Sequence, residues 1–290
     1  MSAQGPLHRR LRRRLKSFVV RRFLSYDAAA LVAALRGLGI GPGDTAMVHA
    51  SWLPDNGFRG GPADFVAALG RAVGAEDAGG GLLVMPTMTY HNESSAQYLA
   101  RGGTMDVARS PSRMGLLSEV FRRAPGTRRS LSPTHPLAAR GRDAAAFLAG
   151  HERALSPFGP DSPFARLPER DARILLVDAP FSTVTFTHFL EDRIRHSLAV
   201  PFYEAEPRTG RVVDEAGRRL EVPTLVISEA ANRARREERL VAALEAAGAF
   251  RRARIGNTRL AVLDARTMVE VVDRMVAAGD SFFADGRSIR

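Results

Sequence analysis

The chain has 290 residues, 45% hydrophobic and 25% charged, a globular composition that excludes wholesale disorder and allows one large domain or two modest ones. It contains no cysteine, which excludes disulfide scaffolds, thiolate metal clusters and cysteine nucleophiles, and no apolar run nears the roughly 18–20 residues of a membrane-spanning helix. The net charge is +11, but Arg9, Arg10, Arg12, Arg13, Arg14, Lys16, Arg21 and Arg22 crowd residues 1–26 without an acid, so the remainder carries only +3.

In chain order, Leu7, Leu11, Leu15, Phe18, Val19 and Phe23 recur at helical spacing among those basic residues, which predicts a short basic amphipathic helix in an arm of residues 1–25. Four readings of the arm stay open. It adsorbs to anionic lipid, binds nucleic acid, serves as a targeting peptide, or is a basic helix docked on the body or on another subunit. No nucleic-acid-binding module follows it, so nucleic acid is not expected as a partner. The body, residues 26–290, reads as one domain. A helix over 27–39 is followed by a strand at 45–51, a helix at 62–74 and, after a glycine turn, a strand within 79–87. Helices are expected at 113–123 and 143–150, then a strand at 173–179 so apolar that both faces should be covered, and a helix at 183–196. A hairpin around Ala216-Gly217, a charged helix at 229–247, a strand at 259–264 and a helix at 265–278 complete the chain. This alternation predicts an α/β fold, a central mostly parallel sheet with helices on both faces.

Several common sites are missing. There is no nucleophile elbow, no His-Glu-x-x-His, no phosphate-binding loop and no dinucleotide fingerprint. Lys16 is the only lysine, so the body has none for a Schiff base. The seven histidines form no sequence-local metal site; His188 and Asp192, four apart on one helix face, are too few ligands to argue one. His188 follows the buried strand 173–179 by a short loop, where open α/β sheets bind ligands, and Glu191 shares its helix face. A histidine suits proton removal from an amine near neutral pH. The plainer reading makes His188 a polar residue capping a sheet end.

One ordered series of segments carries more. VHASW (48–52) precedes RGG (59–61), LLVMPTMTY (82–90), SPSRMGLLSEVFRRAPGTRRSLSPTHPLAARG (110–141), SPFGPDSPFARL (156–167) and ILLVDAPFSTVTFTHFLED (174–192). The succession resembles the aminoglycoside 3-N-acetyltransferase family, from about Tyr26 to Glu206 and again, weakly, at 254–266. The resemblance implies an α/β enzyme unlike the common small acetyltransferase fold. It implies acetyl-coenzyme A as donor, an amino group on a sugar as acceptor, and direct transfer in a ternary complex without a metal. His188 matches the family's general base, and Glu191 would fix its ring. The family's acidic partner falls in the altered segment 226–240, where Glu229 is nearest by position and pairing with Arg233 is the competing reading.

By the same resemblance Arg129, Ser130, Ser132, Thr134 and His135 lie in the coenzyme-receiving stretch. Met114 and Gly115 open a helix whose N-terminus would serve a phosphate or the thioester oxygen, and Ser51 matches another coenzyme-facing position. His49 and His135 read first as hydrogen-bonded structural histidines. Tyr90, Asn92 and Glu93 fall in the acceptor-side loop, and Asp192 is a further candidate there. Aminoglycosides are polycations whose receptor should present carboxylates, yet the body has scattered acids and a slight basic excess. The expectation is therefore N-acetylation of an amino sugar in glycan or natural-product biosynthesis. The alternatives are aminoglycoside acetylation in antibiotic resistance, an inactive binding member of the fold, and a hydrolase using Ser51 or Ser182. The expected location is cytoplasmic, peripheral to the inner membrane face if the arm binds lipid, and oligomerisation is open.

Overall fold

Three apolar runs, TAMVHA, LLVMP and RILLV, build the centre of the molecule. The computed structural model describes residues 6–77 and 80–284. The expected start of a turn at Gly79 lies outside the described residues, as do residues 1–5 and the side chains of Leu7 and Leu11. The elements run α1 (Pro6–Phe23), α2 (Ala28–Gly37), β1 (Thr45–Ala50), α3 (Pro62–Val73), β2 (Leu82–Pro86), α4 (Ser95–Ala100), β3 (Thr104–Asp106) and α5 (Leu116–Arg123). Then come β4 (Arg128–Arg129), β5 (Leu137–Gly141), α6 (Ala144–Leu148), α7 (Arg166–Glu169), β6 (Arg173–Val177) and α8 (Thr187–Ile194). The chain closes with β7 (Arg208–Val213), β8 (Arg219–Thr224), α9 (Glu229–Ala234), α10 (Glu237–Ala246), β9 (Arg251–Ile255), β10 (Thr258–Asp264) and α11 (Ala265–Ala277).

The main sheet has the order β4-β5-β2-β1-β6-β10-β9. β1 pairs in parallel with β2 on one side and β6 on the other, with His49 opposite Leu176. The outer pairings are antiparallel, because β4–β5 and β9–β10 are returning ribbons. The parallel part of the expected sheet is thus its three central strands. These are the strands buried on both faces, as a continuous apolar run requires.

Helices cover both faces. Leu31 and Leu35 of α2, Phe65 and Leu69 of α3, and Leu117 and Phe121 of α5 pack with Val48, Leu83 and Val177. On the other face Leu190 of α8, Leu240 and Leu244 of α10, and Met268 and Val272 of α11 pack with Met47, Val84 and Leu176. Local signals set the helix ends. Asp27 accepts from Ala30 N at 2.9 Å to cap α2, while Pro62 stands in the first turn of α3 and Gly74 ends it in a left-handed conformation. A second sheet, β3-β7-β8, contains the expected hairpin. The helix expected over 229–247 is two helices, because Arg235 leaves helical geometry between α9 and α10. Among the described residues no helix is long and apolar enough to cross a membrane.

The end of α1 is seated on the body. Val20 is 4% exposed, Ser17 Oγ donates to Asp55 at 2.7 Å, and Tyr26 bonds through its amide to the Gly57 carbonyl. Gly57 has φ +89°, and a Cβ there would stand 2.2 Å from the Leu24 carbonyl oxygen, so only glycine permits this approach.

Candidate active site

All three parallel strands point their carboxyl ends at one edge of the sheet, where open α/β folds gather ligands. A cleft of about 440 Å³ lies there. Val48–Ser51 come from the end of β1, Met85 and Pro86 from the end of β2, and Ala179, Ser182, Thr183 and Thr185 from the turn after β6. His188 of α8 enters from one side and Arg113, Met114, Gly115 and Ser118 from the start of α5 on the other. Gly115 has φ +112° immediately before α5, so glycine lets the chain turn sharply and aim the helix N-terminus at the cleft.

His188 is held tightly. Its Nδ1 lies 2.7 Å from Glu191 Oε2, one turn along α8. Phe158 stands at 4.9 Å and His135 at 6.0 Å between ring centroids. A ring whose Nδ1 serves a carboxylate presents its Nε2 elsewhere, and the exposed edge of His188 faces the cleft. Glu191 is completely buried. Its second partner is Arg235, whose Nη2 reaches Oε2 at 2.9 Å and whose Nε also donates to the carboxylate. Burial alone would raise the Glu191 carboxyl, but the charges and hydrogen bonds of His188 and Arg235 outweigh it and hold the group below its ordinary range. The break between α9 and α10 is what delivers Arg235. Sequence reasoning expected an acidic partner from this segment and Glu229 as its nearest candidate. Glu229 pairs with Arg233 on the surface at 2.9 Å.

The structure divides the other candidates. Ser51, Met114 and Gly115 line the cleft. Arg129 lies behind it, buried, with Nε on Thr87 Oγ1 at 3.0 Å, Nη1 on the Ser110 carbonyl at 2.7 Å and Nη2 on the Thr87 carbonyl. Burial pulls its guanidinium down to about 9. Ser130 Oγ bonds Leu137 N and His151 Nδ1, and Ser132 Oγ accepts from His135 N. Thr134 is buried. This stretch ties β5 to the loops behind the cleft wall. His135 meets Tyr90 Oη at 3.3 Å through Nε2, and burial drives its ring well below its ordinary value. Tyr90 is itself buried, stacked on Tyr98 at 4.8 Å. Asn92 adopts φ +58°, Glu93 forms a two-pronged pair with Arg101 at 2.6 and 2.9 Å, and it is His91 from this loop that lines the cleft. Asp192 turns away from the cleft, accepting from Ser156, Tyr203 and Arg195 at 2.8, 2.6 and 3.0 Å.

Arg113, His91, His49 and Thr185 are lining residues that sequence reasoning did not single out as ligand contacts. Arg113 had a signal, since it stands two residues before the helix-opening glycine. Burial takes the His49 ring down to about 3, so it is neutral. His49 Nε2 and Thr185 Oγ1, in two residues that line the cleft, are buried without a hydrogen-bond partner among the described residues.

The sequence profile of the aminoglycoside 3-N-acetyltransferase family matches residues 47–277. The chain is 33% identical over 174 residues to aminoglycoside N(3)-acetyltransferase VII of Streptomyces paromomycinus, covering 56% of this chain and 58% of that protein. The matched part spans about three fifths of the length of such curated relatives. Among solved structures, AAC-VIa bound to sisomicin is 25% identical with a TM-score of 0.66, covering 88% of this chain and 98% of that one. AAC-IIIb in binary complex with CoASH shares the fold at a TM-score of 0.70 and 24% identity, covering 90% and 98%. With the profile spanning most of the sequence, and the sheet and cleft arranged as described, the chain belongs to the aminoglycoside 3-N-acetyltransferase family.

Proposed function

We propose that the protein transfers an acetyl group from acetyl-coenzyme A to an amino group of an amino sugar, with His188 as general base and Glu191 as the residue that positions it. The observation that carries this reading is the 2.7 Å His188–Glu191 pair at the mouth of the parallel strands, in a member of this family. The donor supplies an activated thioester carbonyl. Nε2 of His188 takes the proton that the amine loses as nitrogen attacks that carbon. The carbon–sulfur bond breaks, and the proton passes on to the leaving sulfur, giving an amide and a free thiol. Glu191 keeps Nδ1 protonated and Nε2 basic, and Arg235 keeps Glu191 ionised. Arg113 and the N-terminus of α5 suit the phosphates and polar chain of the donor.

The relatives' names favour an aminoglycoside as the acceptor over the biosynthetic acceptor expected from charge totals. One observation supports a second reading, an amino sugar bearing phosphate: among the described residues lining the cleft, Arg113 carries the only fixed charge and none is a carboxylate. The test mixes the protein with acetyl-coenzyme A and a panel of amines and measures thiol release and product mass. Amine-dependent release with an acetylated product supports the proposal. Amine-independent release supports a hydrolase, and no release supports a binding protein. Specificity constants for sisomicin and for a nucleotide-linked amino sugar decide between the acceptors. A tenfold preference for sisomicin supports the first reading and the reverse supports the second.

A further inference from the structure

A surface helix of a globular protein turns its apolar stripe inward. The end of α1 does the opposite. At about 100° per residue, Ser17, Val20 and Leu24 share the side that meets the body. Val20 is 4% exposed there, and Ser17 bonds Asp55. Leu15, Phe18, Val19 and Phe23 occupy the opposite arc, and Leu15, Phe18 and Phe23 are 64%, 58% and 69% exposed. Four of the seven large hydrophobic side chains exposed among the described residues stand on these last turns, so the apolar character is concentrated rather than scattered. Lys16 flanks one side of the arc, Arg14 and Arg21 the other, and Arg22 stands within it with its guanidinium 5.4 Å from the centre of the Phe23 ring. The first acid in the chain is Asp27.

We propose that this outward face of α1 is a docking surface for an anionic lipid bilayer, and that the body's hold on Ser17, Val20 and Leu24 presents the helix flat to it. An interfacial helix needs an apolar side to enter the acyl boundary and basic side chains at headgroup level, and both are arranged here on the side away from the protein. Charge selects the occupant. A second copy would bring its own arginine-rich helix against this one, whereas an anionic surface complements it. Nucleic acid would satisfy the arginines and leave Leu15, Phe18 and Phe23 without a role.

The test is sedimentation of the full chain with vesicles of phosphatidylcholine alone or mixed with phosphatidylglycerol, beside a Phe18→Ser/Phe23→Ser variant. Both positions are exposed, so the variant should keep the parent's circular dichroism and thermal midpoint. The expected result is at least about tenfold stronger partitioning onto the anionic vesicles in 0.1 M salt, weakened in 1 M salt, and about tenfold or more lost in the variant. Equal binding to both vesicle types, or none, overturns the proposal. So does undiminished binding by the variant, which would reduce the effect to polyanion adsorption shared with nucleic acid. A lipid-free dimer that the variant dissociates, with no vesicle binding, would assign the face to a second copy.

Discussion

Replacing Glu191 by glutamine removes the buried charge that His188 and Arg235, both partly exposed, share, and leaves the shape nearly unchanged. In the parent, the carboxylate is fully buried and neutralises Arg235 while accepting from His188 Nδ1. Breaking a buried ion pair by removing one partner costs roughly 3–5 kcal/mol, because the other charge is left uncompensated. Arg235 retains some contact with solvent and glutamine still offers one acceptor oxygen, so the lower end, about 3 kcal/mol, is expected at pH 7. That corresponds to a fall of about 5 °C in thermal midpoint for a chain of this size. The pH dependence has a definite sign. The Glu191 carboxyl is depressed in the folded protein, so its stabilisation is present above the unfolded value of about 4.3 and is lost as pH falls through the lower folded value. The gap between parent and Glu191→Gln should therefore be largest at neutral pH and narrow below about pH 4.3. Thermal and urea unfolding at a series of pH values measures it. A gap that is small at pH 7, or that widens in acid, would refute the assignment of a charged Glu191 between His188 and Arg235. The same variant should lose less turnover than one lacking the imidazole, since positioning a base matters less than supplying it.

If Arg113 holds a donor phosphate as proposed, Arg113→Met should raise KM for acetyl-coenzyme A by about tenfold while kcat changes less, because the proton path is untouched. Equal losses in both constants would move Arg113 into the chemistry. Asp192→Asn should lower stability through its bonds to Ser156, Tyr203 and Arg195, yet leave KM for the acceptor within about twofold, since it faces away from the cleft; a large acceptor-specific change in KM would contradict that placement. Gly57→Ala should cost more than about 1 kcal/mol, since it adds left-handed strain to a 2.2 Å clash with the Leu24 carbonyl; unchanged urea stability would deny that α1 is seated there.

The central strands were legible because an uninterrupted apolar run can be buried only between two layers of helices, and the position of His188 at the cleft was legible because it follows one such strand by a short segment. β9 was not. Its sequence, RRARI, reads as surface because three of its five residues are arginines, yet Ala253 and Ile255 pack inward, Arg251 pairs with Asp264, and a full antiparallel ladder with β10 makes it a strand. The break at Arg235 was hidden because its partners are distant in sequence: its side chain meets a carboxylate 44 residues away and its backbone bridges to Phe283. Local helical propensity alone runs straight through it. The stretch from Arg129 to His135 shows a different ambiguity. Small polar residues that would hold a ligand look the same as those that satisfy one another in the interior, and here Ser130, Ser132 and Arg129 have internal partners. The cleft wall combined residues from β1, β2, the start of α5 and the turn after β6, and only the parallel order of the sheet brings these together.

The central claim is that Nε2 of His188, with Nδ1 held by Glu191, removes the proton of the attacking amine. Thiol release from acetyl-coenzyme A, with and without a competent amino-sugar acceptor, in the parent and in His188→Ala tests it most directly. A fall in amine-dependent turnover of about 10²-fold or more, with binding of the coenzyme retained in the same variant, is the predicted result. Near-normal turnover by His188→Ala would contradict it.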